Sequence, residues 1–132
     1  MTGRKMAAAA LATLGLGALA VALAPASPAA AATSCYGGQK TVTYTAGTAR
    51  QEFGPYTASS RCNDVNVRLL QSGQIMACVV FIDHTTKCNR NDTVQFVGEG
   101  WKAVATDVRD GTRFKVRLFD PSESPIKVGI AF

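Results

Sequence analysis

Apolar and polar residues alternate at period two along several stretches of this chain, and that rhythm decides its fold class. Arg113-Phe114-Lys115-Val116-Arg117-Leu118 is the clearest run. Successive side chains on an extended strand point to opposite faces, so Phe114, Val116 and Leu118 form an apolar row and Arg113, Lys115 and Arg117 a cationic one. Val42 and Tyr44 alternate with Thr41, Thr43 and Thr45. Val65, Val67 and Leu69 alternate with Asp64, Asn66 and Arg68. Ile126, Val128, Ile130 and Phe132 repeat the pattern near the end. Each run predicts a half-buried antiparallel strand. Residues 33–132 hold 11 Val, 4 Ile and 11 Thr but only three Leu and three Glu, which favours a pleated surface over helices.

Ile75 to Ile82 is apolar throughout, so both of its faces should be covered; it predicts the central strand of the main sheet. Gly54-Pro55, Ser72-Gly73, Gly98-Glu99-Gly100 and Pro121-Ser122-Glu123 read as breakers between strands. Asp110-Gly111 predicts a tight hairpin joining Trp101–Val108 to Thr112–Phe119. The sum is an all-β fold of seven to eight strands, a small antiparallel sandwich or partly closed barrel.

Residues 1–32 read as a cleaved secretory signal. Arg4 and Lys5 precede an uncharged run from Ala7 to Ala24, Pro25 and Pro28 end it, and Ala30-Ala31-Ala32 offers small residues for cleavage. The competing reading is a membrane anchor, for which eighteen Ala- and Gly-rich residues are short. Ala32-Thr33-Ser34 before Cys35 lacks the Leu of a lipoprotein signal. The absence of an Arg-Arg pair favours general secretion over the twin-Arg route. The expected product is one secreted β domain over residues 33–132, monomeric and free of the membrane. Its formal charge is +3 rather than the +5 of the whole chain, too mild to argue for nucleic acid.

In an exported domain, Cys35, Cys62, Cys78 and Cys88 are an even set and predict two disulfides. Of the three possible pairings, the nearest-neighbour one, Cys35–Cys62 with Cys78–Cys88, is favoured. Each loop closure removes about 3 kcal/mol of freedom from the unfolded chain. A four-cysteine zinc site would need a C-x-x-C knuckle, which is missing.

Catalytic motifs are sparse. His84, the only histidine, follows Asp83, but adjacent residues on an extended chain face apart. There is no G-x-S-x-G, S-x-x-K, H-E-x-x-H or P-loop. Glu52, Glu99 and Glu123 with one His and no apparent helix do not reproduce the catalytic strand of small secreted ribonucleases. Asp107 and Asp110 make at best a weak calcium site, and turn chemistry accounts for Asp110. Asn91-Asp92-Thr93 fits the N-glycosylation pattern, although the Ala-rich signal looks bacterial. Neither a cofactor nor a metal is expected.

Two surface features point to binding. Arg113, Lys115 and Arg117, joined across the expected hairpin by Lys102 and Arg109, would make a cationic stripe for a cell-wall polymer, acidic glycan or acidic protein. The competing reading is a solvated face, partly neutralised by Glu99, Asp107 and Asp110. Among Tyr36, Tyr44, Phe53, Tyr56 and Trp101, exposed rings could stack on sugars, although a lone Trp in a small sandwich is expected in the core.

Cys62-Asn63-Asp64-Val65-Asn66-Val67, the Val-rich strand around Cys78, and Gly100-Trp101 through Arg113-Phe114 resemble a group of small secreted actinobacterial proteins of no settled activity. That resemblance implies export and a β fold. A more distant similarity, in size, export, two disulfides and a terminal Ala131-Phe132, is to the actinobacterial subtilisin inhibitors. Met76-Ala77-Cys78-Val79 lacks the proline of their Met–Cys–Pro reactive loop, so no reactive bond is carried over. The leading expectation is a non-catalytic binding domain whose candidate contacts are Trp101, Lys102, Arg109, Arg113, Lys115, Arg117 and His84. The alternatives are an inhibitor of a secreted protease or glycosidase, presenting loop 83–91, and a small hydrolase using His84.

Overall fold

The computed structural model describes residues 34–120 and 124–132, which form eight strands and almost no helix. The signal-like segment 1–32 and the expected breaker Pro121-Ser122-Glu123 lie outside the described residues. The strands are β1 (Lys40–Tyr44), β2 (Gln51–Thr57), β3 (Val65–Leu69), β4 (Ile75–Val80), β5 (Gln95–Val97), β6 (Lys102–Ala105), β7 (Arg113–Phe119) and β8 (Ile126–Ala131). They form two antiparallel four-stranded sheets: sheet A in the order β1-β8-β3-β6 and sheet B in the order β2-β7-β4-β5. The two sheets make a sandwich, as the alternating runs predict.

The apolar rows meet between the sheets. Val65, Val67, Val104, Val128 and Ile130 from sheet A and Ala77, Val79, Val97, Phe114, Val116 and Leu118 from sheet B are all buried in one core. Full burial of each larger side chain contributes roughly 1.5–3 kcal/mol, so this core is the main stabilising element. Tyr56 and Phe114 of sheet B meet Phe132, with ring centroids 4.9 Å and 5.2 Å from it. Tyr44 is fully buried, and its hydroxyl donates to the Thr48 carbonyl and accepts from the Asp120 amide.

β4 has both faces covered, as its unbroken apolar run predicts. Ile75, Ala77 and Val79 face the main core. Cys78 and Val80 join Cys88 in a second small cluster on the outer face of sheet B, with Ile82 and Phe119 packed against it. Both disulfides pair as expected, Cys35 with Cys62 and Cys78 with Cys88, with Cα atoms 4.8 Å and 5.4 Å apart. Such bonds belong to an oxidising compartment. Among the described residues, no helix is long and apolar enough to cross a membrane.

Three local expectations are corrected. Asp110-Gly111 does form a turn, with Thr112 N–H donating to the Arg109 carbonyl and φ of 84° at Gly111, but it is not a hairpin. β6 pairs with β3 in sheet A and β7 with β2 and β4 in sheet B, so the turn carries the chain across the sandwich. The connection is too long for a two-residue hairpin, and its ends are tied elsewhere: Val108 N–H to the Asn63 carbonyl and Gly111 N–H to the Ala58 carbonyl. Gly54-Pro55 lies inside β2 rather than between strands. The register shifts there, and Gly54 adopts φ of 124°, where a Cβ would sit 3.1 Å from the Phe114 carbonyl oxygen. Trp101, expected in the core, stays outside it.

Candidate functional site

The cationic row of β7 emerges as predicted on the outer face of sheet B, but its three cations are paired within the fold with two carboxylates. Arg117 donates from Nε and Nη2 to Glu52 Oε1 at 2.8 Å and 2.6 Å, and from Nη2 to the Thr86 carbonyl at 3.0 Å. Lys115 Nζ lies 3.6 Å from Glu52 Oε2, and Arg113 Nη1 donates to Asp83 Oδ1 at 3.1 Å. Antiparallel register explains the central contact, because Glu52 of β2 faces Arg117 of β7 directly. The neutralising carboxylates are thus Glu52 and Asp83, not Glu99, Asp107 and Asp110. The Glu52 carboxyl is held below its ordinary 4.5, chiefly by the Arg117 hydrogen bond; partial burial opposes this, and the Arg117 and Lys115 charges add to it.

Lys102 and Arg109 do not extend this row. Lys102 is exposed on β6 of sheet A, in register with Val67, and Arg109 is exposed in the turn between sheets. The Lys115–Arg117 end of the row lines a depression of ≈ 270 Å³ with Glu52, Val80, Ile82, Thr85 and Thr86. Arg117 closes it as a clasp on the loop after β4.

His84 is exposed in that loop, its backbone N–H donating to the Phe81 carbonyl. Asp83 turns to Arg113 instead of orienting the imidazole, so a carboxylate–histidine pair is not assembled. Further along, Arg90, Asn91 and Asp92 have φ of 53°, 57° and 61°. Three non-glycine residues in the left-handed region are costly. They are held by Cys88 N–H donating to Asp92 Oδ1 at 2.9 Å and Thr93 Oγ1 donating to the Arg90 carbonyl at 2.6 Å. A loop offered to a protease as substrate runs extended, as a strand added to the enzyme does. This tip is coiled instead.

The outer face of sheet A presents a different constellation. Trp101, just before β6, is half-buried. Its ring stacks on Tyr36 with centroids 4.7 Å apart and planes 12° apart, and the Arg68 guanidinium carbon lies 4.7 Å from its centroid. Tyr36 is 50% exposed. It sits in the 3₁₀ turn Tyr36–Gly38, which the Cys35–Cys62 disulfide ties to the start of β3. Arg68 Nε and Nη2 donate to Gln39 Oε1 at 3.2 Å and 3.0 Å. Gly129 of β8 leaves room for this contact: a Cβ there would be 2.8 Å from Gln39 Oε1. The Arg61 guanidinium packs against Gly38 in the same turn.

The strands of sheet A contain Lys40, Arg68, Lys102 and Lys127 and no Asp or Glu. Among the described residues, every salt bridge joins side chains of sheet B or its loop. Of the five aromatics singled out in the sequence, Tyr44 is buried, Phe53 and Tyr56 pack on the core, and only Tyr36 and Trp101 come together outside. Arg68 and Gln39 were not singled out. Their signal is Gly129, since a glycine within a strand pattern often marks the close approach of another group. No family model, curated protein or solved structure matches the chain.

Proposed function

We propose that this is a secreted, non-catalytic binding domain that takes an anionic extracellular polymer, such as an acidic glycan or cell-wall polymer, on the outer face of sheet A. The observation that carries this reading is the Tyr36–Trp101 stack with Arg68 against it. Two parallel rings held by a disulfide, a guanidinium and a strand make a plate whose order is established before binding, which lowers the entropic cost of association. Sugar rings pack on such aromatic faces through their apolar C–H surfaces. Arg68 packs on the plate and Arg61 packs against Gly38 of the Tyr36 turn, and the strands of the sheet hold no carboxylate, which favours an anionic chain. Lys102 follows Trp101 in sequence but lies in register with the core-facing Val67, whereas Arg113, Lys115 and Arg117 serve the fold on the other sheet.

Binding of the purified protein to teichoic-acid-bearing cell walls and to soluble polygalacturonate tests this, with neutral dextran as the control. The expected result is retention of the anionic polymers that weakens as salt rises from about 0.05 M to about 0.5 M. Trp101→Ala and Tyr36→Ala should each weaken it about tenfold or more, equivalent to about 1.4 kcal/mol. Replacing Arg113, Lys115 and Arg117 together by Ser should cost much less. No retention of either anionic polymer, or a larger loss from the β7 triple variant than from Trp101→Ala, would overturn the reading.

A further inference from the structure

The sandwich has four sheet edges, and three carry a device that discourages a new strand. β1 bears Lys40 and exposed threonines. β2 bears Glu52 and Pro55, which has no N–H to offer, at a register shift. On β6 the Val104 carbonyl already accepts from Asn89 Nδ2 at 2.8 Å and Gln95 Nε2 at 2.9 Å. These are the usual means by which an edge avoids pairing. β5, with the sequence Gln95-Phe96-Val97, has no charge, proline or bulge. It is short, but Thr93 ahead of it is already extended.

Two of the three exposed large apolar side chains among the described residues lie at this edge. Phe96 is 62% exposed and Val94 39%. Met76 stands opposite both Phe96 and Phe119 in the ladder, so the three side chains form one row across the outer face of sheet B. A depression of ≈ 170 Å³ beside them is lined by Gln74, Ile75, Met76, Phe96, Phe119 and Asp120, without Lys or Arg.

We propose that β5 pairs with β5 of a second copy of this chain, antiparallel about Phe96. An open backbone edge accepts an extended strand, and a two-fold contact needs a surface that complements itself. β5 does so, because its central residue falls opposite its own copy. The row Phe119–Met76–Phe96 then runs on into the partner's row, and sheet B becomes an eight-stranded sheet. Charge favours this end: copies of a net-basic chain repel one another, and neither β5 nor the depression beside Phe96 presents a Lys or Arg. The proposal departs from the monomer expected from sequence and leaves the sheet A plate uncovered.

Sedimentation velocity of the purified disulfide-bonded protein, without polymer, from about 10 μM to about 1 mM tests it, because small interfaces associate in that range. The expected result is a monomer–dimer equilibrium that is lost in Phe96→Lys, a substitution at a side chain outside the core, with an unchanged circular dichroism spectrum and, at dilutions where both proteins are monomeric, an unchanged Tm. A monomer throughout would overturn the proposal and would mean that the edge serves a foreign strand or none. A dimer that survives Phe96→Lys would overturn it too, by placing the contact elsewhere. Either failure leaves the polymer-binding reading untouched, since no polymer is present.

Discussion

Arg117 of β7 and Glu52 of β2 face each other across the ladder, and the guanidinium donates twice to one carboxylate oxygen, at 2.6 Å and 2.8 Å. The same guanidinium holds the Thr86 carbonyl. A residue that reads in the sequence as part of a ligand-facing stripe therefore fastens the loop after β4 onto the sheet.

That clasp should respond to acid. The Glu52 pKa is lowered in the folded protein, so the unfolded chain binds its proton first as pH falls. The stabilisation is complete above the ordinary carboxylate value and is lost as pH falls through the lowered folded value. Part of the decline in Tm below about pH 5 should disappear in Glu52→Gln. At neutral pH this variant should lose no more than about 1 kcal/mol, because the pair is partly exposed. Thermal melts of both proteins from neutral to acid pH check the difference, and equal acid slopes would contradict it.

Asn89 continues the ladder where β5 stops. β5 pairs with β4 only as far as Ala77; beyond it, Val79 N–H donates to Asn89 Oδ1 at 3.0 Å, while Asn89 Nδ2 serves the Val104 carbonyl. Asn89→Ala leaves the buried Val79 amide without that acceptor and should cost about 1–3 kcal/mol. Urea melts should show a lower midpoint with an unchanged slope.

Gly129→Ala separates fold from site. Alanine in place of a strand glycine favours the folded strand by roughly 0.5–1 kcal/mol, while the new methyl pushes Gln39 off Arg68. Global stability should change by less than about 1 kcal/mol, yet Arg68 loses the acceptor that steadies it against Trp101. Trp101 is the only tryptophan, so its fluorescence reports the change directly. An unaltered spectrum would show that Gln39 does not hold the plate.

Most of the strand content was legible because it rests on local physics. The alternation around Val42, Val65, Phe114 and Val128 follows from the two-residue period of a strand, and the unbroken run at Ile75 follows from a strand covered on both faces. The disulfide pairing was legible from spacing. The stripe's cancellation was not, since Glu52 lies 65 positions from Arg117 and only register brings them together. The plate was half legible: the sequence marks Tyr36 and Trp101 as aromatics, but their stacking depends on a 3₁₀ turn, a disulfide and a glycine far apart in sequence.

By itself, then, the sequence determined strands, faces and staples: which side chains could be buried together and which cysteines could meet. The tertiary structure decided the pairing of strands. Successive strands pass repeatedly from one sheet to the other, and β4 and β5 are the only consecutive pair that share a ladder among the described residues. A turn such as Asp110-Gly111 dictates that the chain reverses, but not whether it returns to the same sheet. That choice belongs to the core, because burying the apolar rows of both sheets outweighs any single turn's preference. It places Trp101 on one face of the sandwich and the β7 cations on the other.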